Sequence, residues 1–161
     1  MLNILMTFAQ YEREIIAERI KDKLSASKRK GKYVGGLLPL GYDADSEAMK
    51  IIINPAEAES VKLIFSEYVR TGSLKQVQRL LEERNIRTKA WTSKKGIAHG
   101  GNPISLAVLR DMLINPIYIG KLRYQGKIYD AEHEGIISPE LWQMSFEVKI
   151  TPKKGNKKAA L

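Results

Sequence analysis

Basic side chains cluster at a few points in this sequence, and their type and spacing could bind a polyanion. The chain of 161 residues carries 27 Lys and Arg against 18 Asp and Glu, a formal net charge of +9. An excess of this size creates an attractive field for phosphate. The clustered candidates are Lys28, Arg29, Lys30 and Lys32, then Arg87, Lys89, Lys94 and Lys95, and finally Lys121 and Arg123. Nucleic acid is therefore the first expected partner, and a membrane surface is the second.

The composition excludes several other kinds of chemistry. The chain has no cysteine, which rules out a disulfide framework and a thiolate zinc site, and its two histidines, His99 and His133, cannot build a metal site unaided. His133 stands between two glutamates without a serine, cysteine or metal partner, which favours a surface residue over an acid-base catalyst. We expect no metal, no cofactor, no small-molecule substrate and no catalytic residue. Trp91 and Trp142 are expected to fill the core.

A long helix is predicted over residues 1–30. No Gly or Pro interrupts residues 2–30, and one helical face carries Leu5, Ala9, Ile16, Ile20 and Leu24. The first third is apolar nearly all round, yet it is too short to span a bilayer and no cleavage site follows it, so we expect a soluble, cytoplasmic protein without membrane contact. Nothing precedes this third to bury it, so the chain looks like a piece of a longer protein or half of a dimer.

A glycine-rich linker is predicted over residues 31–45, after the cationic end of the helix. Gly35, Gly36, Pro39 and Gly41 disfavour regular structure there, and Tyr42 is expected to pack on the next domain. The stretch "GKYVGG" is expected to be extended and thin enough to enter a minor groove. It adds Tyr33, Gly35 and Gly36 to the DNA-binding candidates Lys28, Arg29, Lys30 and Lys32.

Residues 46–150 are predicted to form a helical DNA-binding domain, and residues 151–161 a basic flexible tail. After a strand-like "KIII", Asn54 caps a helix that begins with Pro55. A Thr-Gly-Ser turn leads to a second helix capped by Ser73, and the pair resembles the front half of a helix-turn-helix unit. The loop over residues 86–103 is expected to be functional or disordered. Its cations are then mobile phosphate contacts or solvated loop charges, and they are Arg87, Lys89, Lys94 and Lys95.

A third helix is predicted in "ISLAVLRDMLINP". Its inward set is Leu106, Leu109, Met112 and Leu113. If this is the recognition helix, Ser105 and Arg110 meet base edges or phosphate in the major groove. Asp111 argues mildly against a deep approach along the full length of the helix.

A β-hairpin and a final helix complete the chain. Apolar and polar residues alternate on each side of Gln125-Gly126, which predicts a hairpin that carries Lys121, Arg123 and Lys127. A short helix capped by Ser138 follows. The predicted fold class is mainly α (α+β): a long N-terminal helix, then a helix-turn-helix-like helical domain with a small β-hairpin.

Taken in order, these pieces resemble the recombinase domain of a large serine recombinase, the serine-integrase type of phages and mobile elements. The stretches that carry the resemblance are "FAQYEREIIAERI", "GGLLPLGY", "YVRTGSLKQVQRLLEERNIRT", "LRDMLINPIYIGKLRY" and "HEGIIS". The leading helix is similar to the one that leaves the catalytic domain in that family. The catalytic domain with its nucleophilic serine, the zinc ribbon and the coiled-coil insertion have no counterpart in this sequence.

The resemblance implies that the whole protein cuts and rejoins attachment-site DNA through a phosphoserine linkage, without a high-energy cofactor, in DNA integration or recombination. It implies a homodimer or tetramer of a prokaryotic or phage-encoded protein. It also implies that Arg19 approaches the DNA backbone near the cleavage site and that Glu18 helps to set the dimer. The present segment would bind double-stranded DNA and, without the serine, would not cleave it.

Two other functions stay open at this point. A free-standing helix-turn-helix regulator is compatible with the turn at residues 71–73, although it would not need a mostly apolar helix start. A helical assembly module would use the first helix as a coiled-coil arm, with the basic charge serving only solubility. Glu12 and Arg13 interrupt the apolar stripe, which weakens a heptad interpretation.

Overall fold

The computed structural model of the protein describes the backbone of residues 2–150 and the side chains of residues 6–148. The predicted tail, residues 151–161, lies outside the described residues. The helices are α1 (Leu2–Arg29), α2 (Pro55–Thr71), α3 (Leu74–Glu83), α4 (Leu106–Ile114) and α5 (Pro139–Ile150), with a 3₁₀ helix at Pro116–Ile119. Strands occur only as two-stranded hairpins within this part of the chain. The mainly α fold that the sequence predicts is confirmed.

The hairpins are antiparallel and connect the helices. They pair β1 (Tyr42–Asp45) with β2 (Lys50–Ile53), β3 (Trp91–Thr92) with β4 (Ala98–His99), and β5 (Lys121–Tyr124) with β6 (Lys127–Asp130). Two predictions are confirmed here: β2 is the strand expected at "KIII", and β5 and β6 flank the expected turn at Gln125-Gly126.

Residues 42–45 form a strand, so their assignment to the linker is wrong. Tyr42 pairs with Ile53 and Asp45 pairs with Lys50. Leu40, Gly41 and Tyr42 are also buried. The glycines and the proline around this segment hid the strand, because its partner and its buried anchor lie elsewhere in the chain.

Residues 86–103 are ordered by a short ladder rather than forming an irregular loop. The Thr88 amide donates to the Asn102 carbonyl at 2.9 Å, and the Gly101 amide donates to the Thr88 carbonyl at 3.2 Å. Arg87 and Pro103 form a bridge just before this point, and β3 and β4 continue the pairing. The glycine-rich composition did not predict this hairpin, because backbone amides and carbonyls, rather than side chains, form the pairing.

The helices α2 and α3 begin where the sequence predicts them. The Asn54 side chain accepts a hydrogen bond from the Glu57 amide at 3.2 Å, and Pro55 follows it in the first turn of α2. The Ser73 hydroxyl accepts from the Gln76 amide at 3.4 Å and begins α3. Each cap satisfies an amide at a helix start that has no partner within the helix.

The core is built around the apolar face of α2, which packs against α3 and α5. The buried residues of that face are Ala58, Val61, Ile64, Phe65 and Tyr68. The Phe65 ring meets the Tyr118 ring edge-on at 5.6 Å. Trp142 packs partly buried against the same core, as predicted. Removal of this apolar surface from water is the main driving force for the fold.

A buried tyrosine ties the start of β1 to the 3₁₀ helix. The Tyr42 hydroxyl lies 3.0 Å from both the Ile117 and the Glu134 carbonyl oxygens and shares its proton between them. In return, the Tyr118 hydroxyl donates to the Leu40 carbonyl at 3.1 Å. Burial raises the pKa of Tyr42 and of Tyr118 far above the usual value, so both stay protonated donors.

His133 belongs to this cluster, so its expected place on the surface is wrong. Its ring is half-buried and meets the Tyr42 ring edge-on at 5.3 Å. Its Nε2 lies 2.7 Å from the Ile117 carbonyl oxygen. Burial lowers the pKa of His133, which favours the neutral ring. The fold gives this histidine a structural role.

Replacing Tyr42 by Phe should lower the free energy of unfolding by about 0.5 to 1.5 kcal/mol, because the Glu134 and Ile117 carbonyls lose a donor, although Ile117 keeps the amide of Gly120, and the ring packing does not change. Urea denaturation followed by circular dichroism measures the change. Tyr11→Phe is the matched control, since the Tyr11 side chain is 59% exposed on α1. Equal midpoints for the two variants would contradict an anchoring role of the Tyr42 hydroxyl.

Candidate nucleic-acid interface

The last turns of α1 lie against the β5–β6 hairpin, although the residues that meet are far apart in the sequence. The Ser25 and Tyr124 hydroxyls, 99 positions apart, are hydrogen-bonded. The Lys28 ammonium lies 5.2 Å from the centre of the Tyr124 ring. The fold thus places the first basic cluster beside the hairpin, which the sequence pattern did not predict.

The register of the hairpin decides which of its cations face the same way as Tyr124. Tyr124 pairs with Lys127, so these two side chains share one face. Lys121 and Arg123 alternate with Tyr124 along β5 and project from the opposite face. The Tyr124 face therefore carries Lys127 on the side of the hairpin that meets α1.

Lys121 and Arg123 were predicted DNA-binding residues, and both have partners within the fold. The Lys121 ammonium lies 2.5 Å from the Asp130 carboxylate, with both side chains exposed. The Arg123 guanidinium donates to the Ile114 carbonyl at 3.3 Å. Sequence reasoning weighed Tyr124 with Lys121 and Arg123 as a hairpin contact to DNA, but it missed the contact of Tyr124 with α1 and did not choose Lys127 as a DNA-binding residue. The register implied by the Gln125-Gly126 turn was the signal that could have paired them.

Arg29, Lys30 and Lys32 are exposed where α1 ends, whereas Lys28 is half-buried. Within residues 2–150, none of these four cations forms an ion pair. The exposed cations and Lys127 form a group that we call the basic end surface: Arg29, Lys30, Lys32 and Lys127. Unpaired exposed cations of this kind suit phosphate contacts.

The predicted extended path of "GKYVGG" is wrong at its second half. Gly35 and Gly36 have φ angles of 68° and 107°, in the region that favours glycine, and the chain bends there. The Tyr33 hydroxyl donates to the Leu37 carbonyl at 3.0 Å and closes the bend. Burial raises the pKa of Tyr33. The linker is therefore a looped segment in this structure.

Lys89 was expected to be a mobile loop cation, and this is wrong. Its ammonium lies 2.6 Å from the Asp43 carboxylate and 2.8 Å from the Glu57 carboxylate, and its side chain is only 14% exposed. Burial lowers the pKa of Lys89, but the two carboxylates raise it by more, so it lies above its ordinary value. The hydrogen bond from Lys89 lowers the pKa of Asp43. Lys89 therefore ties the start of the β3–β4 segment to β1 and α2.

The β3–β4 hairpin presents two stacked rings and an exposed basic turn. Trp91 is 39% exposed and stacks on His99, with ring centres 4.3 Å apart and planes 18° from parallel. The prediction that Trp91 fills the core is therefore wrong. Lys94 and Lys95 lie exposed at the turn of the hairpin. Arg87 is exposed before β3, where it donates to the Asn85 side chain at 2.9 Å.

The predicted recognition helix, α4, has different surroundings on its two sides. Val108 and Asp111 line a groove of about 520 Å³ together with residues of the linker and the β3–β4 hairpin. Arg110 lines a separate cavity of about 210 Å³ against α2, α3 and α5. The Ser105 hydroxyl caps α4 by accepting from the Val108 amide at 3.3 Å. Arg110 is exposed as predicted, but the α4 residues that line the linker groove are Val108, Asp111 and Met112.

Arg19 is exposed midway along α1. Among the described residues, no group of three or more His, Cys, Asp or Glu side chains is arranged to hold a metal ion. None of the helices in residues 2–150 is long and apolar enough to cross a membrane.

Comparison with known proteins gives one family and several similar structures. The model of the family described as Recombinase matches residues 55–145. A crystal structure of an LSR–DNA complex is similar with a TM-score of 0.62 and 20% identity, over 86% of this chain and 43% of the other. A structure concerned with sequence requirements of the Listeria innocua prophage attP site is similar with a TM-score of 0.64 and 21% identity, over 88% of this chain and 57% of the other.

At these identities the two structures show a shared fold. The present chain spans about half the length of the chains that it matches, 43% of one and 57% of the other. No curated protein matches the sequence.

Replacing Lys89 by Met should lower the free energy of unfolding at pH 7 by about 1 to 3 kcal/mol, because two carboxylates lose their shared cation. The value is lower than for a fully buried pair, since the Asp43 side chain is 45% exposed and water screens it. Urea denaturation measures it, with Lys62→Met as control because Lys62 forms an exposed ion pair on α2.

The same substitution should change the pH dependence of stability. The pKa of Asp43 is lowered in the folded state, so its contribution is present above about pH 5 and is lost as the pH falls through that lowered pKa. The stability difference between wild type and Lys89→Met should therefore shrink on acidification. A difference that stays constant from pH 7 to pH 3 would contradict the role assigned to the pair.

Proposed function

This chain belongs to the Recombinase family, and from that membership we propose that it is the DNA-binding segment of a site-specific serine recombinase that contacts attachment-site DNA. Strand cleavage is then the work of a serine-bearing domain elsewhere in the whole protein. The two similar structures concern a DNA complex and a prophage attP site, and their folds resemble this one. That likeness supports duplex DNA as the ligand.

The observation that carries the proposal is the basic end surface beside the β5–β6 hairpin. Arg29, Lys30 and Lys32 are exposed and unpaired within the described residues, and Lys127 lies on the hairpin face that meets α1. Phosphate contacts need mobile, hydrated cations, for which replacing a water molecule by a phosphate oxygen costs little free energy. Lys89 and Lys121 are less suited, because carboxylates already hold their ammonium groups.

Base recognition is assigned to the region around the groove between the linker, the β3–β4 hairpin and α4. Val108 and Asp111 of α4 line this groove, and Trp91 and His99 line it from the β3–β4 hairpin. Lys94 and Lys95 at the hairpin turn supply positive charge nearby. An aromatic wall with flanking cations suits contact with sugars and base edges next to phosphates. Ser105 and Arg110 remain candidates for contacts at the flanks of α4.

The long helix α1 supports the part of the proposal that concerns contact with another domain or subunit. Apolar side chains on α1 are widely exposed, and they include Met6, Phe8, Ile16, Ile20 and Leu24. A stripe of this size is expected to be covered in the working protein. We assign it to contact with the serine-bearing domain or with a second subunit, in a homodimer or tetramer. Arg19, on the same helix, is assigned to the DNA backbone near the cleavage point.

Replacing Lys30 and Lys32 by Ala should weaken binding to every duplex and make the plot of log affinity against log salt less steep by roughly two units, since each lost phosphate contact removes about 0.9. Fluorescence anisotropy between 50 and 200 mM salt measures the slope. The matched control is the double substitution of Lys50 and Lys62, which also removes two exposed cations.

Equal slopes for the two double variants would mean that net charge, rather than the basic end surface, determines binding. Binding to an attachment-site duplex and to a scrambled duplex is compared in the same titration. Identical affinities for the two duplexes would contradict sequence recognition. A wild-type chain that binds neither duplex at 50 mM salt would overturn the proposed function.

The chain has two tryptophans, so each can be observed alone. In a Trp142→Phe variant, the emission of Trp91 should be quenched or shifted on addition of duplex DNA, because this half-exposed ring lies at the proposed interface. In a Trp91→Phe variant, Trp142 should report little change, since it packs against the core. An unchanged Trp91 signal at saturating DNA would remove the β3–β4 hairpin from the interface.

A further inference from the structure

We propose that Tyr124, Lys28 and Gly31 form a joint that fixes the direction in which α1 leaves the domain. The joint would place the basic end surface in one arrangement, so that its cations meet successive phosphates together. Tyr124 and Lys28 are thereby positioning residues, which no comparison assigns. The DNA part of this inference rests on the proposed function, whereas the mechanical part does not.

Tyr124 contacts α1 through its hydroxyl and through its aromatic ring. Its hydroxyl is hydrogen-bonded to the Ser25 hydroxyl, and its ring faces the Lys28 ammonium at 5.2 Å. A cation over an aromatic face at this distance is attracted by the ring quadrupole. Ser25 and Lys28 are three residues apart and lie on one side of the helix, so a single tyrosine grips one face of the last turns of α1.

Gly31 holds the backbone just after the helix. Its carbonyl accepts from the Glu132 amide at 3.1 Å, directly beyond β6. Its φ angle is 77°, and a Cβ built there would lie 2.1 Å from the Asp130 carbonyl oxygen and 2.8 Å from the Ala131 Cα. A side chain at this position would push α1 off the hairpin, because both obstacles belong to the backbone.

The remainder of α1 offers little to set its direction. From residue 6 to residue 24, every side chain except that of Ile15 is exposed. The helix before Ser25 is roughly 35 Å long at about 1.5 Å per residue, so a rotation of about 10° at the joint would move its far end by about 6 Å. Small changes at Tyr124 are therefore amplified along the helix.

The joint also separates Lys28 from its neighbours in the basic cluster. Lys28 is half-buried against Tyr124, whereas Arg29, Lys30 and Lys32 are exposed. Its ammonium stabilises the docked helix, and the neighbouring cations bind phosphate. If the docked arrangement binds DNA better than an undocked one, DNA must in turn favour docking, since the coupling between the two is reciprocal.

The mechanical part is tested by a distance measurement without DNA. The chain contains no cysteine, so cysteines introduced at the exposed positions Glu14 on α1 and Glu82 on α3 carry a pair of spin labels without background. Pulsed electron paramagnetic resonance should give one narrow distance distribution for the wild type. Tyr124→Leu and Gly31→Ala should each broaden it or shift its centre by about 3 Å, because Glu14 lies about 16 Å along α1 from Ser25 and a rotation of about 10° acts over that length.

Milder variants resolve the individual contacts. Tyr124→Phe keeps the ring and loses the hydroxyl, so it should broaden the distribution slightly and to the same extent as Ser25→Ala, and the double variant should add nothing. Tyr129→Phe is the matched control, because it removes from the same hairpin face a hydroxyl that, unlike that of Tyr124, makes no hydrogen bond among the described residues. Lys28→Arg should keep the wild-type distribution, and Lys28→Met should broaden it. Unchanged distributions in both Tyr124→Leu and Gly31→Ala would overturn the joint.

The DNA part is tested with the same uncharged substitution. Tyr124→Leu removes no charge, yet it should flatten the salt dependence of duplex binding by about one unit, because the cations no longer meet the phosphates together. A wild-type slope in this variant, with the broadened distance distribution, would overturn the DNA part and leave the mechanical part supported. A wild type that binds no duplex at all would overturn the proposed function and the DNA part, while the distance measurement still decides the joint.

Discussion

The buried hydroxyl of Tyr42 is the interaction on which the arrangement of the other elements depends. A hydroxyl without an acceptor in the core would cost about 1 to 3 kcal/mol, and this one reaches the carbonyls of Ile117 and Glu134 at 3.0 Å. It thereby joins the start of β1 to the 3₁₀ helix and to the segment before α5. Because β5 begins directly after the 3₁₀ helix, the same anchor determines where the β5–β6 hairpin can receive α1.

The cations of this chain divide into two groups according to their partners. Lys89, Lys121 and Lys28 are held by carboxylates or by an aromatic ring, and they contribute to the fold or to the position of α1. The cations without an ion pair in residues 2–150 include Arg29, Lys30, Lys32, Lys94, Lys95 and Lys127. An ammonium that loses water needs a compensating partner, which explains the partners of Lys89 and Lys28, whereas the pair of Lys121 with Asp130 is exposed.

The two proposals describe one mechanical arrangement. The domain would bind DNA near the linker groove, and α1 would connect this DNA-bound domain to the catalytic part of the whole protein. Such a helix can transmit a defined geometry only if its direction is determined at its base. Tyr124 supplies that constraint through its side-chain contacts with α1, and Gly31 supplies it through the close approach of its backbone to the hairpin.

The sequence by itself determined the features that depend on local periodicity and local caps. The extent of α1, the start of α2 at Asn54 and Pro55, the turn before Ser73 and the hairpin at Gln125-Gly126 all follow from neighbouring residues. The resemblance to a recombinase domain rested on the order of such stretches, and the family match over residues 55–145 confirms it.

Only the tertiary structure decided which residues meet across long separations. The strand at residues 42–45, the half-buried place of His133, the exposed stack of Trp91 on His99 and the ion pairs of Lys89 were all missed. The meeting of Ser25 with Tyr124 was missed for the same reason. Each depends on a partner 5 to 99 positions away, and neither composition nor helical spacing specifies which of these residues come into contact.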